Sequence, residues 1–143
     1  MQKDLKERVD HLLSGLEKDE PMQELEFEGI IKSFEFRFPD SYIEVMKGFN
    51  GGEGEVGEDS WLCFFPITEL RQVNIDYELL MSDIPDYFLF GKDAADTGYA
   101  FHKINSTFHS FGLMSNFDTD PIAFLGNDFV AFLESLYNYR YEE

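Results

Sequence analysis

The sequence predicts an α+β fold: one domain over residues 1–143, in which a central, mostly antiparallel or mixed β-sheet packs against several helices. Three observations carry this expectation. Apolar residues recur at helical spacing at both ends of the chain, short apolar runs of strand length bounded by turn residues fill the middle, and no repeat, low-complexity tract or linker divides them. With 143 residues, 16 of them phenylalanine, the chain has the material to bury most of its apolar surface without disulfides or metal.

The elements follow in order. Leu5, Val9, Leu12, Leu13 and Leu16 form a stripe that predicts a helix over residues 3–17, too short for a coiled coil and therefore docked on the body. Glu28 to Phe34 predicts a second helix with Ile30, Ile31 and Phe34 inward, although Gly29 weakens it. A third helix runs from Pro39 to Phe49. Proline suits the first turn, Ser41 and Glu44 match a capping box, and Tyr42, Val45, Met46 and Phe49 share one face. Asn50-Gly51-Gly52 stops it, and Glu53 to Asp59 follow as a mobile acidic loop.

Trp61 to Phe65 is a continuous apolar run between Ser60 and Pro66, which predicts a central strand buried on both faces. Thr68 to Leu80 is helix-like, with Thr68 as cap. Tyr87 to Gly91 predicts a second buried strand, Gly98–His102 and Thr107–Phe111 a hairpin, and Pro121 to Leu125 a last strand. A closing helix places Phe129, Phe132, Leu133 and Leu136 on one face, capped by Asn127 or Asp128.

Charge narrows the partners. There are 29 acidic and 11 basic residues, a formal net charge of -18, which argues against binding nucleic acid or an anionic membrane and favours a basic partner. The imbalance is steepest from Gly48 to Gly91, where nine acids face only Arg71. The single Cys63 fits a reducing cytosol, and the charges among Leu5, Val9 and Leu12 leave no signal-peptide core. The expected location is cytoplasmic, so the Asn105-Ser106-Thr107 glycosylation pattern is chance.

Motifs for chemistry are weak. Gly52-Glu53-Gly54-Glu55-Val56-Gly57 matches the dinucleotide pattern in form, but it lies between a helix and a strand in the wrong order, and its acids would repel a pyrophosphate. His102 and His109 lack the cysteine or spaced carboxylate of a zinc site, and the loop from Asp118 has Ala123 where a calcium loop needs glycine. Cys63 alternates with Trp61 and Phe65 as a structural thiol. Asp93 and Asp96 lie in a turn, where they serve either as an acid–base pair or, as such residues usually do, as acceptors of turn hydrogen bonds. No metal or cofactor is expected.

Several segments together resemble the SUKH superfamily, which groups Smi/Knr-type cell-wall regulators, Syd-like proteins and many bacterial immunity proteins. They are Phe38-Pro39-Asp40-Ser41-Tyr42, Phe49-Asn50-Gly51-Gly52, Phe65-Pro66-Ile67-Thr68-Glu69-Leu70 with Asn74, Phe90-Gly91-Lys92-Asp93 before Gly98-Tyr99-Ala100-Phe101, and Asp128 to Leu133. They span residues 38–133 in the family's order. The chain departs from the pattern at Ile31, where a glutamate is frequent, at Glu35, where a glycine is expected, and in the glycine-poor turn Ala94 to Thr97. The resemblance implies a non-catalytic protein-binding domain. Its commonest bacterial role is immunity, the neutralisation of a toxin that is often a basic nuclease; the alternative is a regulatory scaffold for an endogenous protein. On this reading Glu53, Glu55, Glu58 and Asp59 are the first candidates for partner binding, and Asp93 and Asp96 the second.

Overall fold

A computed structural model describes residues 3–141. Seven strands form one antiparallel sheet in chain order: β1 (Leu16–Lys18), β2 (Gly52–Val56), β3 (Ser60–Phe64), β4 (Tyr87–Lys92), β5 (Thr97–His102), β6 (Phe108–Gly112) and β7 (Ala123–Gly126). The helices are α1 (Lys3–Leu12), α2 (Glu24–Lys32), α3 (Asp40–Met46), α4 (Leu70–Asp76), α5 (Glu78–Met81) and α6 (Phe129–Asn138). The α+β architecture is as expected, and the sheet is antiparallel throughout.

Alternation along the strands sorts side chains into two cores. Phe88, Phe90, Tyr99, Phe101 and Phe108 face the larger core, with Val9 and Leu12 of α1, Tyr42 of α3, and Phe129 and Phe132 of α6. Leu89, Ala100 and Phe111 face the other side, under Met81 and Ile84 at the end of α5. The sheet is therefore covered on both faces at β4–β6. Phe90 is the hub of the larger core: its ring meets those of Tyr42 at 5.4 Å, Phe108 at 5.7 Å and Phe132 at 5.4 Å, tilted edge to face as aromatic quadrupoles favour.

Several elements differ from the sequence expectation, each for a physical reason. The first helix ends at Leu12, not at residue 17: the chain turns at Gly15, and Leu16 pairs with Gly54 as an edge strand. The second runs from Glu24 to Lys32, earlier than expected, with Phe27 as its one buried residue. Glu53 and its neighbours are not a loop. They form β2, paired with β3 from Gly52↔Phe64 to Val56↔Ser60. β3 itself is buried on one face only, through Leu62 and Phe64, while Trp61 and Cys63 stay half-exposed. The expected helix from Thr68 to Leu80 is broken into a 3₁₀ turn (Ile67–Glu69), α4 and α5, with Tyr77 outside helical geometry between them. Thr68 does not cap it; Asn50 Oδ1 accepts the Ile67 N–H at 2.8 Å instead.

The start of α3 also departs from its pattern. Its N-cap residue is Pro39, which has no capping side chain, and Ser41 Oγ accepts the Phe129 N–H at 3.0 Å, tying α3 to the first turn of α6. The closing helix follows expectation: Asp128 Oδ1 accepts the Ala131 N–H at 2.8 Å.

Candidate functional site

The strand register decides where the acids point. Glu53 stands opposite Cys63, Glu55 opposite Trp61, and Glu17 of β1 opposite Glu53, so all five side chains project from the same face of the β1–β2–β3 end. The intervening residues Gly54, Val56, Leu62 and Phe64 turn into the larger core. α4 and α5 cover this outer face only at β4–β6, leaving the β1–β3 end open to solvent. There Glu53 and Glu55 flank the half-exposed indole of Trp61, whose Nε1–H donates to Glu53 Oε2 at 3.1 Å, and Glu17 extends the row of acids onto the edge strand. Lys92, opposite Cys63, is the basic residue at its border.

Electrostatics agree with this geometry. The Cys63 thiol is pushed up first by burial and then by the negative charge of Glu53, while Lys92 opposes the shift and Glu69 adds the least to it. A thiol held protonated in a negative field is a poor nucleophile. Glu17 and Glu53 are a directly opposed like-charge pair, an arrangement that costs a fraction of a kcal/mol up to about 1 kcal/mol in a sheet. Charges on a short edge strand also prevent edge-to-edge pairing, which is a structural use of Glu17. The sequence alone does not single out Glu17, because Leu16 beside it continues a helical stripe and its cross-strand neighbour Glu53 lies far away in the chain.

The hairpin tip carries the next two acids. Glu58 Oε2 lies 3.7 Å from Arg140 Nε in an exposed ion pair, and Asp59 Oδ2 accepts the Tyr141 N–H at 2.8 Å. Both are thus engaged by the segment after α6. Beside them opens a cavity of about 520 Å³ between β3, the turn before β5, and α6. Asp59 and Asp93 line it together with Trp61, Tyr99 and Tyr139. Carboxylates beside aromatic residues are surroundings that suit a guanidinium or ammonium group.

Asp93 Oδ1 accepts the N–H groups of Ala95 at 2.8 Å and Thr97 at 3.0 Å, the turn-forming use of a carboxylate. Asp96 is exposed and does not line the cavity; its carbonyl accepts the Leu113 N–H at 2.6 Å. The structure therefore brings together Glu53 with Glu55, and Asp59 with Asp93, and leaves Glu58 and Asp96 apart from both pairs.

The remaining motifs have structural roles. Gly54 is packed so closely on Gly15 that a Cβ would strike its carbonyl, and Gly57 turns the hairpin at φ 71° against the Tyr137 carbonyl. His102 Nδ1 accepts the N–H groups of Ile104 and Asn105, and His109 Nε2 pairs with the Thr107 hydroxyl at 2.8 Å. Burial and the nearby His102 lower the pKa of His109. Among the described residues no three His, Cys, Asp or Glu side chains are placed to hold a metal ion, and no helix is long and apolar enough to cross a membrane.

No curated protein matches the chain. The family model described as SMI1 / KNR4 family (SUKH-1) matches residues 21–135, from the approach to α2 through most of α6.

Proposed function

Because the chain belongs to the SMI1 / KNR4 family (SUKH-1), we propose that it is a non-catalytic protein-binding domain acting in the cytoplasm, an immunity protein that neutralises a basic toxin through its acidic sheet face. The observation that carries this reading is that Glu17, Glu53 and Glu55 share an uncovered sheet face with Trp61. Charge of one sign on an open, rigid surface steers an oppositely charged partner into encounter, and a half-exposed tryptophan supplies the apolar contact that slows its departure. The neighbouring cavity of Asp59, Asp93, Trp61, Tyr99 and Tyr139 suits one arginine or lysine side chain of that partner.

The test is rescue in a bacterial host that expresses, from an inducible promoter, a candidate basic toxin. Wild-type chain restores growth, whereas the Glu53→Lys/Glu55→Lys variant, folded by circular dichroism, does not. Equal rescue by both would remove the acidic face from the account. Absence of any protection or binding, together with recovery of an endogenous protein in a stable complex, would replace immunity with a regulatory scaffold.

A further inference from the structure

Away from the acidic face, around α4 and α5, lies chemistry of the reverse sign. An open groove of about 460 Å³ runs between the Phe34–Phe36 segment and the α4–α5 pair. Phe34, Phe36 and Phe88 form its floor, Ile75 and Met81 a wall, and Arg71 and Lys103 its rim, with Glu78 as the one acid lining it. The Arg71 guanidinium carbon sits 4.2 Å from the centroid of Phe34, and Lys103 Nζ 5.0 Å from that of Phe36. Neither cation forms an ion pair among the described residues. Arg71 is, moreover, the only basic residue between Gly48 and Gly91.

We infer that this groove is a docking surface for a peptide segment of a protein partner in which carboxylates flank an apolar side chain. Each part of the recognition is present. The aromatic floor and the exposed Ile75 (54%) and, next to Lys103, Ile104 (74%) present apolar surface whose burial is favourable. The two cations come from separate elements, α4 and the β5–β6 turn, so a ligand that satisfies both carries two carboxylates with an apolar group between them. Among the described residues Arg71 engages only its Nη2, which donates to Ser33 O and Oγ at 3.2 Å each. Its other N–H donors match the bidentate geometry of a carboxylate. A single-headed amphiphile satisfies one rim cation and leaves the other unpaired.

The inference does not depend on the acidic face, and its test uses the chain alone. The probe is the acetylated hexapeptide Gly-Glu-Leu-Phe-Glu-Gly, titrated into ¹⁵N-labelled protein, with the lysine-for-glutamate peptide and laurate as separate arms. The glutamate peptide should give saturable shifts at Phe34, Phe36, Ile75 and Tyr87, and Arg71→Gln/Lys103→Gln should weaken it by about tenfold or more. Arg71→Lys, which keeps the charge but not the fork, should fall between. Lys103→Gln alone serves if the double variant does not fold. Equal binding of the lysine peptide, shifts centred on Trp61, saturation by laurate without the peptide, or unchanged affinity in the variants would overturn the inference.

Discussion

Tyr42 is fully buried in the larger core, and its hydroxyl has no hydrogen-bond partner among the described residues. Burial alone pushes its ionisation far above the ordinary tyrosine range. The ring packs against Phe38, Phe90, Phe101 and Phe129, so its apolar body is used while its polar tip is not. An unpaired buried hydroxyl costs roughly 1–3 kcal/mol. Tyr42→Phe should therefore raise unfolding free energy in urea by about 1 kcal/mol; a loss of similar size would show that the hydroxyl has a partner after all. Nearby, Ser41 shows what a sequence pattern at this scale leaves out. Its spacing to Glu44 matches a capping box, yet its hydroxyl serves the backbone of Phe129, a partner that no local window contains. Asp93 is the converse, since its hydrogen bonds lie within four residues and its turn role was legible.

At the level of elements, strands rich in bulky apolar residues were easy to find and the acidic one was not. Glu53-Gly54-Glu55-Val56 alternates as a half-buried strand should, but its inward positions begin with a glycine that β1 requires, and glycine and glutamate both disfavour strands. The tract therefore read as a loop. The end of the N-terminal helix is hidden in the sequence for a related reason: Leu16 continues the helical stripe, yet it belongs to β1 and packs on the same core from a strand. α1 and β1 lie outside the matched residues 21–135, though Val9, Leu12 and Leu13 are buried in the larger core. The β2–β3 turn gives this level its test. Gly57 has φ 71° and abuts the Tyr137 backbone, so Gly57→Ala combines left-handed strain with a clash and should cost roughly 1–3 kcal/mol. A Tm unchanged from wild type would mean that the hairpin and the end of α6 are free to separate.

Across the whole molecule, charge is distributed by sign as well as amount. The acids of β1 and β2 gather on the part of the outer sheet face that α4 and α5 leave bare, while Arg71 and Lys103 border the apolar groove beyond those helices. The net charge of -18 is readable from composition, and with it the expectation of a basic partner. Which acids act together was not, because that depends on strand pairing between residues far apart in sequence. Glu17 meets Glu53 only through the sheet, and Asp59 meets Asp93 only across a cavity. The most direct measurement is the association rate of the chain with the basic toxin proposed as its partner, as a function of salt, for wild type and for Glu17→Gln/Glu53→Gln/Glu55→Gln. A steered encounter predicts a wild-type rate that falls by about tenfold or more between low and physiological salt, and a variant that starts slower and declines less. Identical rates and identical salt slopes in the two proteins would contradict an acidic sheet face as the binding surface.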